Sequence, residues 1–252
     1  GFGYYTVANF KPLKDYILYC VDELIEENGL KPPFLDVGCG SGDVSKHLGQ
    51  RNWDGVAIDF SEYAVRKATD SLSYFPNINV RQEELMDQNN HYSSVFLLDV
   101  LEHIHDDNEA IEKISSLLKP SGHLVIVTPS NPNEWRWDDE YYGHYRRYSL
   151  NALTVLLRRN NFSVVLYWDV TYPVYWLMRR IYTRLLSKKT GNNISNKTKL
   201  SSLNSAWDTH GLSSSIFERI FIWDIVNKLQ FRYYKGEVHK GHEILILAKK
   251  DT

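Results

Sequence analysis

Three glycines at alternate positions, Gly38, Gly40 and Gly42, close the string Leu35-Asp36-Val37-Gly38-Cys39-Gly40-Ser41-Gly42. An apolar run leads into them and a helical pattern follows. Glycine permits a tight turn there and leaves bare main chain, Cys39 and Ser41 included, against which a ligand can lie. The rival is a dinucleotide-binding loop, G-x-G-x-x-G, whose third glycine would fall at position 43, which is Asp43. A carboxylate at that helix start competes with a pyrophosphate for the same amides. The loop therefore favours a ligand that is not an anion at this point, such as an amino-acid moiety. Asp36 either offsets positive charge on that moiety or caps the loop's own amides. A second apolar run, Gly55-Val56-Ala57-Ile58-Asp59-Phe60-Ser61, ends in an acid placed to accept both hydroxyls of a ribose. Phe60 is expected to pack beside the base.

These residues need a scaffold that brings two strand ends together. Short apolar runs alternating with helical patterns predict an α/β fold, a mostly parallel sheet wrapped by helices. Strands are expected at 34–38, 55–59, 78–82, 95–99, 123–128, 162–168 and 243–249. Helices are expected at 11–27, 43–50, 61–74, 107–118 and 150–159, with Ser61 and Ser149 as N-caps. Residues 119–122, Lys-Pro-Ser-Gly, end one helix and turn into a strand. The alternation stops near Trp168. An aromatic, Arg-bearing segment (172–186), a polar stretch (187–202) and a helix near 216–229 follow. In that helix Phe217, Ile220, Phe221, Ile225 and Leu229 share a face, so core packing is expected for them. The 252 residues then form a single domain. Its parts are an N-terminal helix and lid (1–32), a cofactor-binding core (33–168), a helical insertion (169–242) and a last strand (243–252).

The glycine loop together with Asp59 resembles that of the class I S-adenosylmethionine-dependent methyltransferases. The likeness runs from about Pro33 to Val165 and resumes in the last strand. It implies a Rossmann-like sheet of seven strands, one of them antiparallel and supplied by 243–249. It also implies S-adenosylmethionine as cofactor, held by Asp36, Gly38, Cys39, Gly40, Ser41 and Gly42 and by Asp59 at the ribose. Glu83-Glu84 takes the place of the family's Asp near the adenine, so a backbone contact carries over there. Leu98-Asp99-Val100-Leu101-Glu102-His103-Ile104 matches the motif ending strand four, which puts Asp99 and Val100 at the mouth of the site. The segment 2–10 is expected to fold over the cofactor as a lid. No Asn-Pro-Pro-Tyr or Asn-Pro-Pro-Phe string follows strand four, which lowers nucleic-acid and protein-amide acceptors.

Methyl transfer from a sulfonium is an in-line displacement, so the enzyme chiefly aligns its substrates, and a hydroxyl acceptor benefits from a base. Two histidines are candidates. His103 is either a base at the cofactor rim or a helix-start residue satisfied by backbone. His144 lies in Tyr141-Tyr142-Gly143-His144-Tyr145-Arg146-Arg147-Tyr148-Ser149, after strand five, where an acceptor pocket forms in this fold. That Gly-His-x-Arg-Arg-Tyr-Ser string resembles a subgroup of bacterial methyltransferases of sugar, lipid or secondary-metabolite pathways. Tyr145, Arg146 and Trp135 are expected to bind the acceptor. Arg146 and Arg147 otherwise close surface ion pairs worth little. Trp135 and Trp137 beside Asp138-Asp139-Glu140 either grip a sugar or a cation or pack under a loop. Segment 172–186 rests either on a membrane interface, suiting a lipid-linked acceptor, or on the sheet or a second subunit of a homodimer.

The bulk properties narrow the classes. Basic and acidic residues nearly balance, 29 against 31, which argues against a broad nucleic-acid surface. Two cysteines, Cys20 and Cys39, make no disulfide framework, and no Cys/His cluster has zinc spacing, so no metal is expected. The reading is cytoplasmic, with no secretory pattern in Gly1-Phe2-Gly3-Tyr4-Tyr5 and no apolar run long enough to span a bilayer. The expected activity is methyl transfer to a hydroxyl of a small molecule or of a glycan or lipid precursor. The alternatives are an inactive cofactor-binding partner subunit and an NAD-dependent oxidoreductase.

Overall fold

The computed structural model describes residues 12–185 and 220–252. The expected lid at 2–10 and the polar stretch at 187–202 lie outside them. Among the described residues the strands are β1 (Phe34–Val37), β2 (Gly55–Asp59), β3 (Ile78–Gln82), β4 (Tyr92–Leu98), β5 (Leu118–Pro129), β6 (Phe162–Asp169) and β7 (Glu243–Lys250). They form one sheet in the order β3-β2-β1-β4-β5-β7-β6. β7 is antiparallel to both its neighbours, and the other pairings are parallel. The helices are α1 (Pro12–Asn28), α2 (Asp43–Gly49), α3 (Glu62–Ser71), α4 (Asp107–Leu117), α5 (Trp137–Tyr142), α6 (Leu150–Arg159), α7 (Val174–Leu185) and α8 (Ile220–Tyr234).

Strand periodicity explains the layers. Phe34, Phe96, Val125 and Leu245 enter one core with Leu13, Tyr16 and Val21 of α1. Their chain neighbours Leu35, Leu97, Ile126 and Ile246 enter the other, with Ile111 and Ile114 of α4 and Leu153 of α6. Both faces of the central strands are covered, so these strands read as unbroken apolar runs. Ser61 and Ser149 cap α3 and α6 as expected, their side chains accepting from the Ala64 and Ala152 amides. The strand order reverses between β1 and β4. The loops leaving those two strands therefore part, and a crevice opens at their carboxyl ends.

Three expectations need correction. Residues 119–122 lie within β5, which begins at Leu118 and bulges between its pairings with Tyr92 and Ser94. α5 was not expected, because its six residues are too few to show a period. In α8, Ile225 and Leu229 are exposed, and the buried positions are Asn227, Gln230 and Phe231. The polar pair faces inward because α7 offers it partners. Tyr175 donates its hydroxyl to Asn227 at 2.6 Å, and the Val174 amide donates to Gln230 at 3.2 Å. The side chains of Phe217, Ile220 and Phe221 lie outside the description.

Candidate active site

The glycine loop is built by three different demands. A Cβ at Gly38 would lie 2.6 Å from Val100 Cγ2, so this glycine admits the loop that leaves β4. At Gly42 a Cβ would press on Leu72 at 3.1 Å, where α3 packs. Only Gly40, at φ +56°, faces open space, with nothing within 4 Å of a Cβ built there. The open stretch of main chain is therefore centred on Gly40. Cys39 is buried, and its amide donates to the Ile58 carbonyl at 2.9 Å, while Ser41 Oγ donates to Asp43 at 3.0 Å.

Asp36 lies beneath this loop, accepting from the Ser45 amide at 3.2 Å and the Ser45 hydroxyl at 2.6 Å. Neither contact is to an amide of the loop itself; both are to Ser45, in the first turn of α2. Burial pushes the Asp36 carboxyl up to about 6 despite both bonds. Asp59 accepts the Gly40 amide at 3.0 Å on one oxygen and the Ser61 amide at 2.9 Å on the other. Each oxygen keeps a second lone pair for a ligand hydroxyl. Burial raises this carboxyl, and the two amides oppose the rise. Phe60 is 56% exposed beside it. The Glu83 amide is donated to the Asp59 carbonyl at 3.2 Å, and the Glu84 side chain is exposed. Lys14 of α1, which no sequence signal marked, reaches the loop, its Nζ 2.8 Å from Asp43. Its charge also acts on Asp36 and Asp99.

The facing loop leaves β4 at Asp99, an exposed residue held at φ +57°, a left-handed conformation that costs a non-glycine residue about 1–3 kcal/mol. A one-turn 3-10 helix, Leu101–His103, follows. Glu102 is buried. One oxygen accepts from Thr128 at 3.0 Å and the other has no hydrogen-bond partner among the described residues. Burial and the nearby Asp99 charge hold the Glu102 carboxyl well above the usual range. The His103 ring bonds to the Gly143 carbonyl, and burial together with His144 pushes its pKa down to about 4.

The rings of His103 and His144 meet edge to face, 4.8 Å between centroids. His144 Nδ1 lies 2.9 Å from Asp139 Oδ1. Asp139 is fully buried and also bonded to Arg147 at 2.7 Å and to Arg179 at 2.9 Å. Burial raises the Asp139 carboxyl, but His144, Arg147 and Arg179 together hold it well below the ordinary range. It is a carboxylate, so His144 Nδ1 carries the hydrogen of this contact, and in the neutral ring the lone pair lies on Nε2. Ligand atoms of Glu102, His103 and His144 lie within 4.8 Å of one another, a set able to hold a cation.

Residues 9–167 match a family model described as a methyltransferase domain. The chain belongs to that family. That family is the class I S-adenosylmethionine-dependent one which the glycine loop and Asp59 resemble, and the comparisons give the oxidoreductase alternative no support. Among curated relatives, "Ubiquinone biosynthesis O-methyltransferase" of Alkalilimnicola ehrlichii is 31% identical over 50% of this chain and 52% of its own length. Its namesake in Marinobacter nauticus is 34% identical over 48% and 54%. The chain thus spans about half the length of the curated relatives it matches. A putative sarcosine dimethylglycine methyltransferase from Galdieria sulphuraria shares the fold at TM-score 0.60 and 14% identity, over 95% of this chain and 86% of that one. The [4+2]-cyclase SpnF does so equally at 0.60, with 18% identity over 93% and 82%, so the fold alone does not fix the reaction.

The expected acceptor residues divide. Arg146 is engaged elsewhere, by Asp107 at 2.6 Å and by the His105 carbonyl at 2.6 Å, at the start of α4. Arg147 forms no surface pair; it is buried and ties Asp139 to the Ser130 and His242 carbonyls, at 3.0 and 2.8 Å. Asp138 and Asp139 are buried in ion pairs, and Trp137 stacks on Tyr182 and donates to the Thr183 carbonyl at 3.0 Å. The packing alternative holds for that trio. Trp135 and Tyr145 are exposed, Tyr145 with its ring against His105. Asp139 was visible in the sequence only as one acid among three. Its distinction is burial, which spacing does not reveal.

Proposed function

We propose that this chain transfers a methyl group from S-adenosylmethionine to a hydroxyl oxygen of a small or lipid-linked molecule, with His144 as the base. The Asp139–His144 pair carries the reading. It stands against His103 in the turn that leaves β4, and the relatives named as O-methyltransferases support a hydroxyl acceptor. Open space at Gly40 and the lone pairs of Asp59 suit a ribose, and exposed Phe60 suits an adenine. Asp99, whose charge Lys14 and His144 both feel, suits a cationic tail. The bound cofactor supplies the methyl on its sulfonium. The protein's own part is to orient the acceptor and to receive its proton. His144 Nε2 takes the hydroxyl proton while Asp139 stabilises the imidazolium that forms.

A second reading is favoured by one observation. His103 is already held by the Gly143 backbone and His144 by Asp139 through Nδ1, and a second partner of this kind orients an imidazole toward a metal. With Glu102 they would then hold a divalent cation that binds the acceptor oxygen. One experiment separates the readings: S-adenosylhomocysteine release measured across a panel of phenols, alcohols and sugars. His144→Ala is expected to lower turnover about 10²–10⁴-fold, the usual worth of a positioned base. If EDTA abolishes wild-type turnover and added magnesium or manganese restores it, the cation reading replaces the base. If no acceptor turns over although S-adenosylhomocysteine binds, the partner-subunit alternative stands instead.

A further inference from the structure

Asp139 is held from two directions. Its Oδ1 faces His144 Nδ1 at 2.9 Å and Arg147 Nη2 at 2.7 Å. Its Oδ2 accepts from the Arg136 amide at 2.8 Å and from Arg179 Nη2 at 2.9 Å. Three of these partners belong to the segment 136–147 that carries Asp139 itself. The fourth, Arg179, comes from α7. Its guanidinium is buried, with Nε and Nη2 closing a fork on Asp138 at 2.8 and 2.7 Å and Nη1 donating to the Glu134 carbonyl at 3.0 Å. Each nitrogen of this one side chain bonds to a single short segment.

Burying such a charge is poor value if only helix packing is needed, because apolar residues of similar volume do that without the desolvation cost. A planar fork does what they cannot: it fixes two neighbouring carboxylates at once. We propose that Arg179 is a positioning residue for the reaction: through Asp139 it holds His144 in the Nδ1–H form, with the lone pair on Nε2. The proposal rests on reading His144 as the base. The groups facing His144 are Asp139 and Tyr142 from the α5 segment, Arg147 beyond it, and Asp99, Glu102 and His103 from the turn after β4. Among these only Asp139 is bonded to Nδ1. A carboxylate that loses the Arg179 bond keeps only the Arg136 amide on Oδ2 and can rotate about it, and the tautomer preference goes with it.

The experiment is long-range proton–nitrogen spectroscopy of imidazole-15N-labelled protein, freed of metal with EDTA and held at one pH. The His144 signals are assigned by their loss in His144→Gln. Wild-type protein is expected to show the Nδ1–H form alone. Two variants are read. Arg179→Lys keeps the charge without the fork. Asp138→Asn with Arg179→Met removes both halves of the ion pair and leaves no buried charge unpaired at that point. Each is expected to give a mixture of both tautomers at His144, with S-adenosylhomocysteine affinity within about threefold of wild type. A pure Nδ1–H form in both variants, with only the melting temperature lowered, would overturn the proposal and leave Arg179 a tether for α7. Failure of the base reading shows separately, as turnover that survives in His144→Gln, and does not alter what the tautomer reports.

Discussion

Asp59 spends one lone pair of each oxygen on the protein before any ligand arrives. It pins the Gly40 amide at 3.0 Å and so shapes the stretch of loop that faces open space. Its loss should therefore remove the ribose bonds and slacken the loop together. Hydrogen bonds to a charged acceptor contribute roughly 1.5–3 kcal/mol each, so Asp59→Ala is expected to weaken S-adenosylhomocysteine binding by about two to three orders of magnitude. Calorimetric titration checks it, and a change below about threefold removes Asp59 from the ribose site. The ribose role proposed for Asp59 is legible in the sequence because a strand-ending acid after a glycine loop has few other duties. Arg146 was not, because its partner Asp107 lies 39 positions earlier in the chain and nothing local advertises the contact.

The elements were legible wherever packing imposes a period. Central strands buried on both faces read as apolar runs, and all seven strands fall where that pattern put them. A helix was expected near α8, but the buried faces of α7 and α8 were not legible, because they carry Arg179, Thr183, Asn227 and Gln230. An amphipathic pattern then points the wrong way round. The corner that joins β6, α7 and β7 is likewise polar. Asp169 accepts from the amides of Thr171 at 2.7 Å, Tyr172 at 2.6 Å and Gly241 at 2.8 Å. A Cβ at Gly241 would collide with the Asp169 carboxylate and with Thr171 Oγ1. Gly241→Ala is expected to destabilise the fold by about 3 kcal/mol, the upper end for overpacking. Urea unfolding checks it. A midpoint within experimental scatter of wild type, at unchanged m-value, would show that the corner yields freely.

Over the described residues the apolar surface is uneven. Leu177, Ile181 and Leu185 follow one another at four-residue intervals along α7 and are exposed, as are Ile225, Leu229 and Tyr233 along α8. Exposed Arg184 and Arg232 stand among them. No helix among the described residues is long and apolar enough to cross a membrane. A helix that buries its polar side and shows aliphatic residues flanked by cations suits the interface of an anionic bilayer, where each Leu or Ile immersed adds about 1.5–3 kcal/mol. Arg179, on the buried side of α7, reaches Asp139, so whatever seats on the stripe lies one helix away from His144. We therefore expect the protein to co-sediment with phosphatidylglycerol vesicles and less with phosphatidylcholine. Leu177→Ser with Ile181→Ser should lower the bound fraction about tenfold or more at unchanged melting temperature. High salt should weaken binding without abolishing it, since the aliphatic contribution is unscreened. Wild-type protein that stays in the supernatant with both lipids would sink the membrane reading. The stripe would then be assigned to a second copy of the chain if sedimentation equilibrium gave a dimer that the same pair of substitutions dissociates.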